Sequence, residues 1–264
     1  MLTFSTLACP EWDFLQIIDG ARRFGYGGVE LRVVRGSTDL LALPELQGQR
    51  LKNMARRAED AGIAIVGIGT GVCLHHVTAF ERAVAVDEVM SYAELARTLG
   101  ASFFRVFGDR IQCGATRAQT EGWILEGMHA IAARLQGSGL EVLLETHGDF
   151  ASPKELEFLG TSHPVIWDPV NAFMEHGIAS DLPDLLDIRH VHVKDANRGS
   201  DGRSTFALLG EGAFPWEQQL QQLQHSGYRG ALSFEWERFW HPELAPAEKA
   251  LPCFIRWARE AGWS

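Results

Sequence analysis

The sequence has only four cysteines, Cys9, Cys73, Cys113 and Cys253, widely scattered and with no CxxC pair. At this chain length and spacing disulfides are not expected, and buried structural thiols are the expected role. Positive charge is also scarce: 24 Lys and Arg stand against 34 Asp and Glu, for a formal net charge of −10. Nucleic-acid binding draws on clustered cations that displace counterions from phosphates, so no nucleic-acid partner is expected. No apolar run approaches the ~20 residues that span a bilayer, so no membrane partner is expected either. The opening stretch MLTFSTLACPEWDF carries no basic leader before an apolar segment, which makes a signal peptide unexpected and the cytoplasm the expected location. Low-complexity segments and shifts of composition are missing, so nothing marks a domain boundary. No glycine-rich phosphate cradle is present, and this leaves open whether a substrate would be phosphorylated.

What the sequence does have is a core. Hydrophobic residues make up 46% and charged residues 22% of 264 positions, enough to bury a substantial interior without staples. Short apolar runs alternate with longer helical patterns from end to end. Strands are expected at 2–8, 28–34, 63–69, 103–107, 141–147, 165–169, 188–195 and 231–237. Several are near-continuous apolar runs, the pattern of parallel strands covered on both faces. Between them, Val86, Val89, Met90, Ala93 and Ala96 recur at helical spacing within 79–100, as do Ile124, Met128, Ile131 and Leu135 within 117–138. Trp216, Leu220 and Leu223 mark a helix at 214–227, and Leu251, Phe254 and Trp257 mark the last one. Gly62, Gly100, Gly139 and Gly227 each precede a strand or its lead-in, where a helix stop is expected.

Eight β–α units with short connections require right-handed crossovers. They close more naturally into a barrel than into an open doubly wound sheet. The expected fold is therefore α/β, a (β/α)8 TIM barrel in one domain spanning 1–264. The polar segment 195–212 after the seventh strand reads as an active-site loop.

In such a barrel the strand C-termini meet at one mouth, and catalytic groups project from there. Polar residues gather at those ends: Glu30, Glu145, His147, Asp168, His190, His192, Lys194, Asp195, Glu235 and Glu237. Charge inside an apolar strand is costly unless it is paired or bound to a cation. Glu145 follows Val142-Leu143-Leu144, Asp168 follows Val165-Ile166-Trp167, and Glu235 follows Leu232-Ser233-Phe234. Carboxylates and imidazoles crowded into one mouth call for a counterion, and a divalent metal supplies it.

The motifs LLETH at 143–147, WDPVN at 167–171, LLGEGAFPW at 208–216, HVHVKDANR at 190–198 and LSFEWE at 232–237 carry a resemblance. Over nearly its whole length the chain resembles the xylose isomerase-like barrels of the sugar phosphate isomerase/epimerase group. That group includes ketose 3-epimerases, hydroxypyruvate isomerases and inosose dehydratases, with endonuclease IV more distant. The resemblance implies metal ligands at Glu145, Asp168, His192 and Glu235, with His190 deeper on the same side of its strand. Three carboxylates and one imidazole suit Mn²⁺ or Mg²⁺ best, with Co²⁺ and Zn²⁺ compatible. It also implies proton transfer beside a carbonyl on a small carbohydrate, with Glu145 and Glu235 as the catalytic pair. Arg198, His75, His76 and Glu30 match substrate contacts, and His147, Asn171 and Lys194 join them at the mouth. One departure is clear. Epimerases of the group carry Asp-x-x-His on strand six, whereas here the stretch is Asp168-Pro169-Val170-Asn171, and Asn cannot take up a proton near neutral pH.

Dehydration of an inosose-like keto-polyol is the alternative reaction at the same site. A repair endonuclease would need more His ligands and a basic face, and a binding protein on a retired enzyme scaffold would have lost ligands. Trp236, Phe239 and Trp240 suit either a pocket wall or a homo-oligomer contact.

Overall fold

The computed structural model describes residues 1–179, 182 and 186–263. Eight parallel strands close a barrel: β1 (Leu2–Ser5), β2 (Gly28–Leu31), β3 (Ala64–Cys73), β4 (Phe103–Phe107), β5 (Glu141–Glu145), β6 (Pro164–Trp167), β7 (Asp187–Val193) and β10 (Ala231–Phe234). Neighbours follow chain order, and β10 pairs with both β7 and β1 to seal the ring. All eight expected strands are found. An antiparallel hairpin, β8 (Asp195–Arg198) with β9 (Ser204–Ala207), lies within the segment 195–212 expected as an active-site loop.

The helices α1 (Phe14–Phe24), α2 (Gly48–Asp60), α3 (Ala79–Ser91), α4 (Ala93–Leu99), α5 (Arg117–Leu135), α6 (Pro169–His176), α7 (Trp216–His225) and α8 (Ala247–Glu260) lie between the strands. Reciprocal caps start three of them, from Asp13 with Gln16, Thr78 with Glu81 and Thr116 with Gln119. The single helix expected over 79–100 is two, divided at Tyr92. No described helix is long and apolar enough to cross a membrane.

Side chains alternate across each strand with a period of two, and this alternation builds the site. On β4 the outward Phe104 and Val106 join the main core beneath the helices, while Phe103, Arg105 and Phe107 occupy the other parity. Val66, Phe103, Leu143 and Ile166 form a separate apolar cluster that floors the barrel interior. Above that floor the inward parity turns polar, with Glu30 on β2, His190 and His192 on β7, and Ser233 on β10. Strand β3 makes room by carrying glycine at that parity. A Cβ on Gly67 would fall 2.3 Å from the Phe103 ring, and one on Gly69 would crowd Glu30, Arg32 and Arg105.

Candidate metal centre

Glu145 ends β5, Asp168 follows β6, His192 lies in β7 and Glu235 follows β10, and all four are buried. One ligand atom from each lies within 4.8 Å of the other three. His192 Nδ1 is 3.5 Å from Glu145 Oε1, 3.5 Å from Glu235 Oε1 and 3.9 Å from Asp168 Oδ2. The strands aim these groups because each occupies the inward parity, one residue past an outward core side chain (Leu144, Trp167, Val191 and Phe234).

Glu30 orients the imidazole from below. His192 Nε2 donates to Glu30 Oε2 at 2.9 Å, and the same oxygen accepts from His190 Nε2 at 3.2 Å and Ser233 Oγ at 3.4 Å. With its Nε2 hydrogen so engaged, His192 turns Nδ1 toward the three carboxylates. This carboxylate–histidine arrangement is the one that fixes a metal-binding tautomer. His190 packs its ring 4.9 Å from Phe103 and sits a layer deeper.

Two cationic side chains share the site. Arg105 Nη1 donates to Glu145 Oε2 at 2.9 Å and to Glu235 Oε1 at 3.2 Å, while its Nη2 donates to the Thr70 carbonyl at 3.1 Å. Lys194 Nζ donates to Glu235 Oε2 at 3.0 Å and Glu237 Oε1 at 2.7 Å. It also lies 2.9 Å from Asp168 Oδ2 as an ion pair without hydrogen-bond alignment. Asn171 Nδ2 donates to the Thr146 carbonyl at 2.8 Å and to Glu145 Oε1 at 3.3 Å.

Burial alone would raise the carboxyl pKa values here, and neighbouring charges decide each outcome. Arg105 and His192 overcome burial at Glu145 and hold it low, and His192 with Lys194 does so at Glu235. Asp168 goes the other way: burial outweighs Lys194 and pushes it up to about 6. His192 is driven well above its ordinary value, because Glu235, Glu30 and Glu145 together outweigh its desolvation.

The donor set fits a divalent cation on two counts. His192 Nδ1 and Asp168 Oδ2 are buried yet have no hydrogen-bond partner. Asp168 Oδ2 has only its ion pair with Lys194, and His192 Nδ1 only carboxylate oxygens at 3.5 Å or more, so a shared ion would satisfy both. Three carboxylates and one imidazole are also the donors of a hard or borderline metal.

A cavity of about 210 Å³ opens above these atoms, lined by Leu7, Arg32, Arg105, Phe107, Glu145, His147, Lys194, Glu235, Glu237 and Trp240. A second, of about 560 Å³, shares His147 and Glu237 with it and runs along Asn171, the β9 residues Ser204–Phe206 and His241. Trp240 is thus a pocket wall, while Trp236 is buried and donates to the Ala245 carbonyl.

Of the expected substrate contacts, His147, Asn171 and Lys194 line these cavities. Four other expected substrate contacts lie elsewhere. Glu30 is fully buried beneath His192, since its inward position falls a layer below the mouth. His75 and His76 line a neighbouring cavity of about 460 Å³ with Phe80, Glu88 and Asp109. Arg198 lines neither mouth cavity; it turns its guanidinium to the Met174 carbonyl at the end of α6. Arg105 and Arg32 are not among the candidates that the sequence motifs mark. The available signal was parity: each is a lone arginine at an inward position, in FFRVF and just after GVEL.

The family model described as xylose isomerase-like TIM barrel matches residues 18–260. No curated protein matches by sequence. Among solved structures, the IolI protein with a binding zinc atom superposes with a TM-score of 0.80 at 16% identity, covering 98% of this chain and 97% of that one. D-psicose 3-epimerase in the presence of D-fructose gives 0.74 at 16%, covering 98% of each chain. The probable 3-DHS dehydratase AsbF from Bacillus anthracis gives 0.72 at 17%, covering 97% of each. At these identities the likeness speaks for the fold.

Proposed function

Since the chain belongs to the xylose isomerase-like TIM barrel family, we propose that it is a divalent-metal-dependent isomerase or epimerase of a small sugar or keto-polyol. The observation that carries this reading is the convergence of Glu145, Asp168, His192 and Glu235, two of them with buried atoms that make no hydrogen bond, under a small cavity. These four residues would hold the ion, with Mn²⁺ or Mg²⁺ preferred by the oxygen-rich donor set. When bound, the cation supplies positive charge that polarises a carbonyl and stabilises the negative charge left as a neighbouring carbon loses its proton.

Proton movement falls to Glu145 and Glu235. Both line the cavity, and both are held as carboxylates, one by Arg105 and Asn171 and the other by Lys194 and Arg105. A carboxylate kept ionised is ready to take a carbon-bound proton. The second glutamate, once it has taken up a proton from solvent, returns one to the substrate carbon, and the first then releases its own to solvent. Return to the opposite face of the same carbon is epimerisation, and return to the adjacent carbon is isomerisation. Arg105 contacts both glutamates, so it keeps them at a fixed separation as charge shifts between them.

The test is incubation of metal-loaded protein in deuterium oxide with ketoses, inososes and hydroxypyruvate. Deuterium should enter at carbon without loss of water. Glu145→Gln and Glu235→Gln should each slow the exchange by about 10²- to 10⁴-fold. Unchanged turnover in both variants would overturn the assignment. Dehydration is the second reading, favoured by His147. It lines both cavities, and its hydrogen bond to Asp109 and the nearby Glu145 outweigh burial to raise its pKa, making it a proton donor for a leaving hydroxyl. An ultraviolet-absorbing enone product would identify that reaction.

A further inference from the structure

We propose that Arg32 is the receptor for an acidic group on the substrate, so that this enzyme acts on a hydroxycarbonyl compound bearing an oxyanion rather than on a neutral sugar. The inference rests on the functional reading above and concerns the same cavity.

The cavity over the metal ligands has three cationic side chains in its wall, and two are committed. Arg105 is bonded to Glu145 and Glu235, and Lys194 to Glu235 and Glu237, with Asp168 also in contact. His147, the remaining basic group in the wall, is paired with Asp109 at 3.0 Å. The guanidinium of Arg32 makes no hydrogen bond and no ion pair with any described residue; only its backbone N–H is engaged, by Thr6 Oγ1 at 2.9 Å. Five N–H donors are thus left in a half-buried wall position beside the catalytic pair.

The setting is built for that arm. Arg32 directly follows β2 and takes the inward parity two residues beyond Glu30, which brings it to the mouth instead of the layer beneath. Strand β3 opposes it with glycines. A Cβ on Gly69 would come within 3.3 Å of Arg32 Cδ, and one on Gly71 within 3.1 Å of Nη2. Any side chain at either position would press on the arginine, so the guanidinium has a groove along β3 that leads into the cavity.

An unpaired charge there is expensive, because burial and the neighbouring Arg105 both work against it, and the attraction of Glu235 and Glu145 is smaller. These influences pull its pKa down to about 10. A ligand oxyanion reverses that penalty. A guanidinium presents a flat fork that matches a carboxylate or a phosphate with two parallel hydrogen bonds, and it gives discrimination against an uncharged analogue. At about 210 Å³ the cavity is small beside the roughly 300–1,000 Å³ of drug-sized ligand sites, so the acidic group must lie only a few bonds from the reacting carbonyl.

Three small hydroxyketones that differ in this one feature serve as probes: dihydroxyacetone, which is neutral, hydroxypyruvate, a carboxylate, and dihydroxyacetone phosphate, a phosphate ester. Calorimetric titration into the Mn²⁺-loaded protein should show at least one of the two anions binding ten-fold or more tightly than dihydroxyacetone, and the preferred one names the group. In Arg32→Gln that preference should fall by about 10- to 100-fold with dihydroxyacetone affinity unchanged, while Arg32→Lys should keep part of it. Equal affinity for all three in the wild type, or no binding of any, overturns the proposal, as does an Arg32→Gln variant that weakens neutral and anionic probes alike. Deuterium exchange measured on the same samples separates this claim from the activity. Anion preference without exchange overturns the reaction and leaves Arg32 its role, whereas exchange without anion preference overturns Arg32 alone.

Discussion

Glu30 illustrates how much a single inward position decides. One step down from the mouth, the same side chain that could have met substrate becomes the acceptor that fixes His192. Removing its charge as Glu30→Gln should therefore weaken Mn²⁺ binding by about 10- to 100-fold, measured by metal titration, with direct ligands untouched. Undiminished affinity would mean that the imidazole needs no such support. Asp109 offers a test by pH. It adopts a left-handed backbone with φ 55°, a strained position that Asn also tolerates, and its carboxylate holds His147 at 3.0 Å. Against the burial of both groups, this pairing raises His147 above its ordinary 6.5 and lowers Asp109 below its ordinary 3.8. The stabilisation is complete between those ordinary values, falls away as pH rises through the raised His147 value, and falls away in acid as Asp109 protonates. The gap in unfolding temperature between wild type and Asp109→Asn, both metal-free, should thus be widest near about pH 5.5 and narrow toward about pH 8.5. A constant or widening gap would contradict it. At this scale three of the four converging residues were legible, because a carboxylate after an apolar run is conspicuous, and His192 came with the resemblance. Depth was not: Glu30 and Glu145 look alike in sequence, and only the stagger between strands separates them. The roles of Arg105 and Arg32 were hidden similarly, since pairing is a property of the closed ring.

The elements were read more easily than their ends. All eight barrel strands announced themselves through short apolar, β-rich runs, four of them preceded by a helix-stop glycine, yet several stop short of the expected limit; the first and last end at Ser5 and Phe234. The residues beyond those ends turn into loops that carry the candidate site, and their polarity reflects the mouth rather than the strand. Segment 195–212 was legible as special and illegible in shape, because its hairpin depends on pairing across the turn from Gly199 to Gly202. Asp195 anchors the loop beyond that hairpin. It accepts hydrogen bonds from the backbone N–H groups of Ala196, Gly210, Gly212 and Phe214, folding LLGEGAF back onto the barrel. Replacing it as Asp195→Ala leaves these donors without an acceptor and should cost roughly 1–3 kcal/mol in denaturant unfolding. A cost near zero would show that water or a shifted loop replaces it. The split of 79–100 at Tyr92 had no sequence signal, as both halves keep the same apolar spacing.

Across the whole molecule, one ring of strands gathers residues far apart in the chain, and at the metal centre Glu30 and Ser233 meet across 203 positions. Such a centre has no counterpart in the unfolded chain, so an ion that binds it stabilises the native state by mass action. At free Mn²⁺ about 100 times its dissociation constant the gain should be about 2.7 kcal/mol, visible as a rise in unfolding temperature that a chelator reverses. No rise would mean that the four donors do not act together. The most direct measurement is the metal stoichiometry of the folded protein, comparing wild type with an Asp168→Asn, His192→Gln double variant in the same Mn²⁺ titration. The account predicts that the double variant binds one equivalent fewer while its circular dichroism spectrum is unchanged. Equal stoichiometry and affinity in the two folded proteins would contradict it.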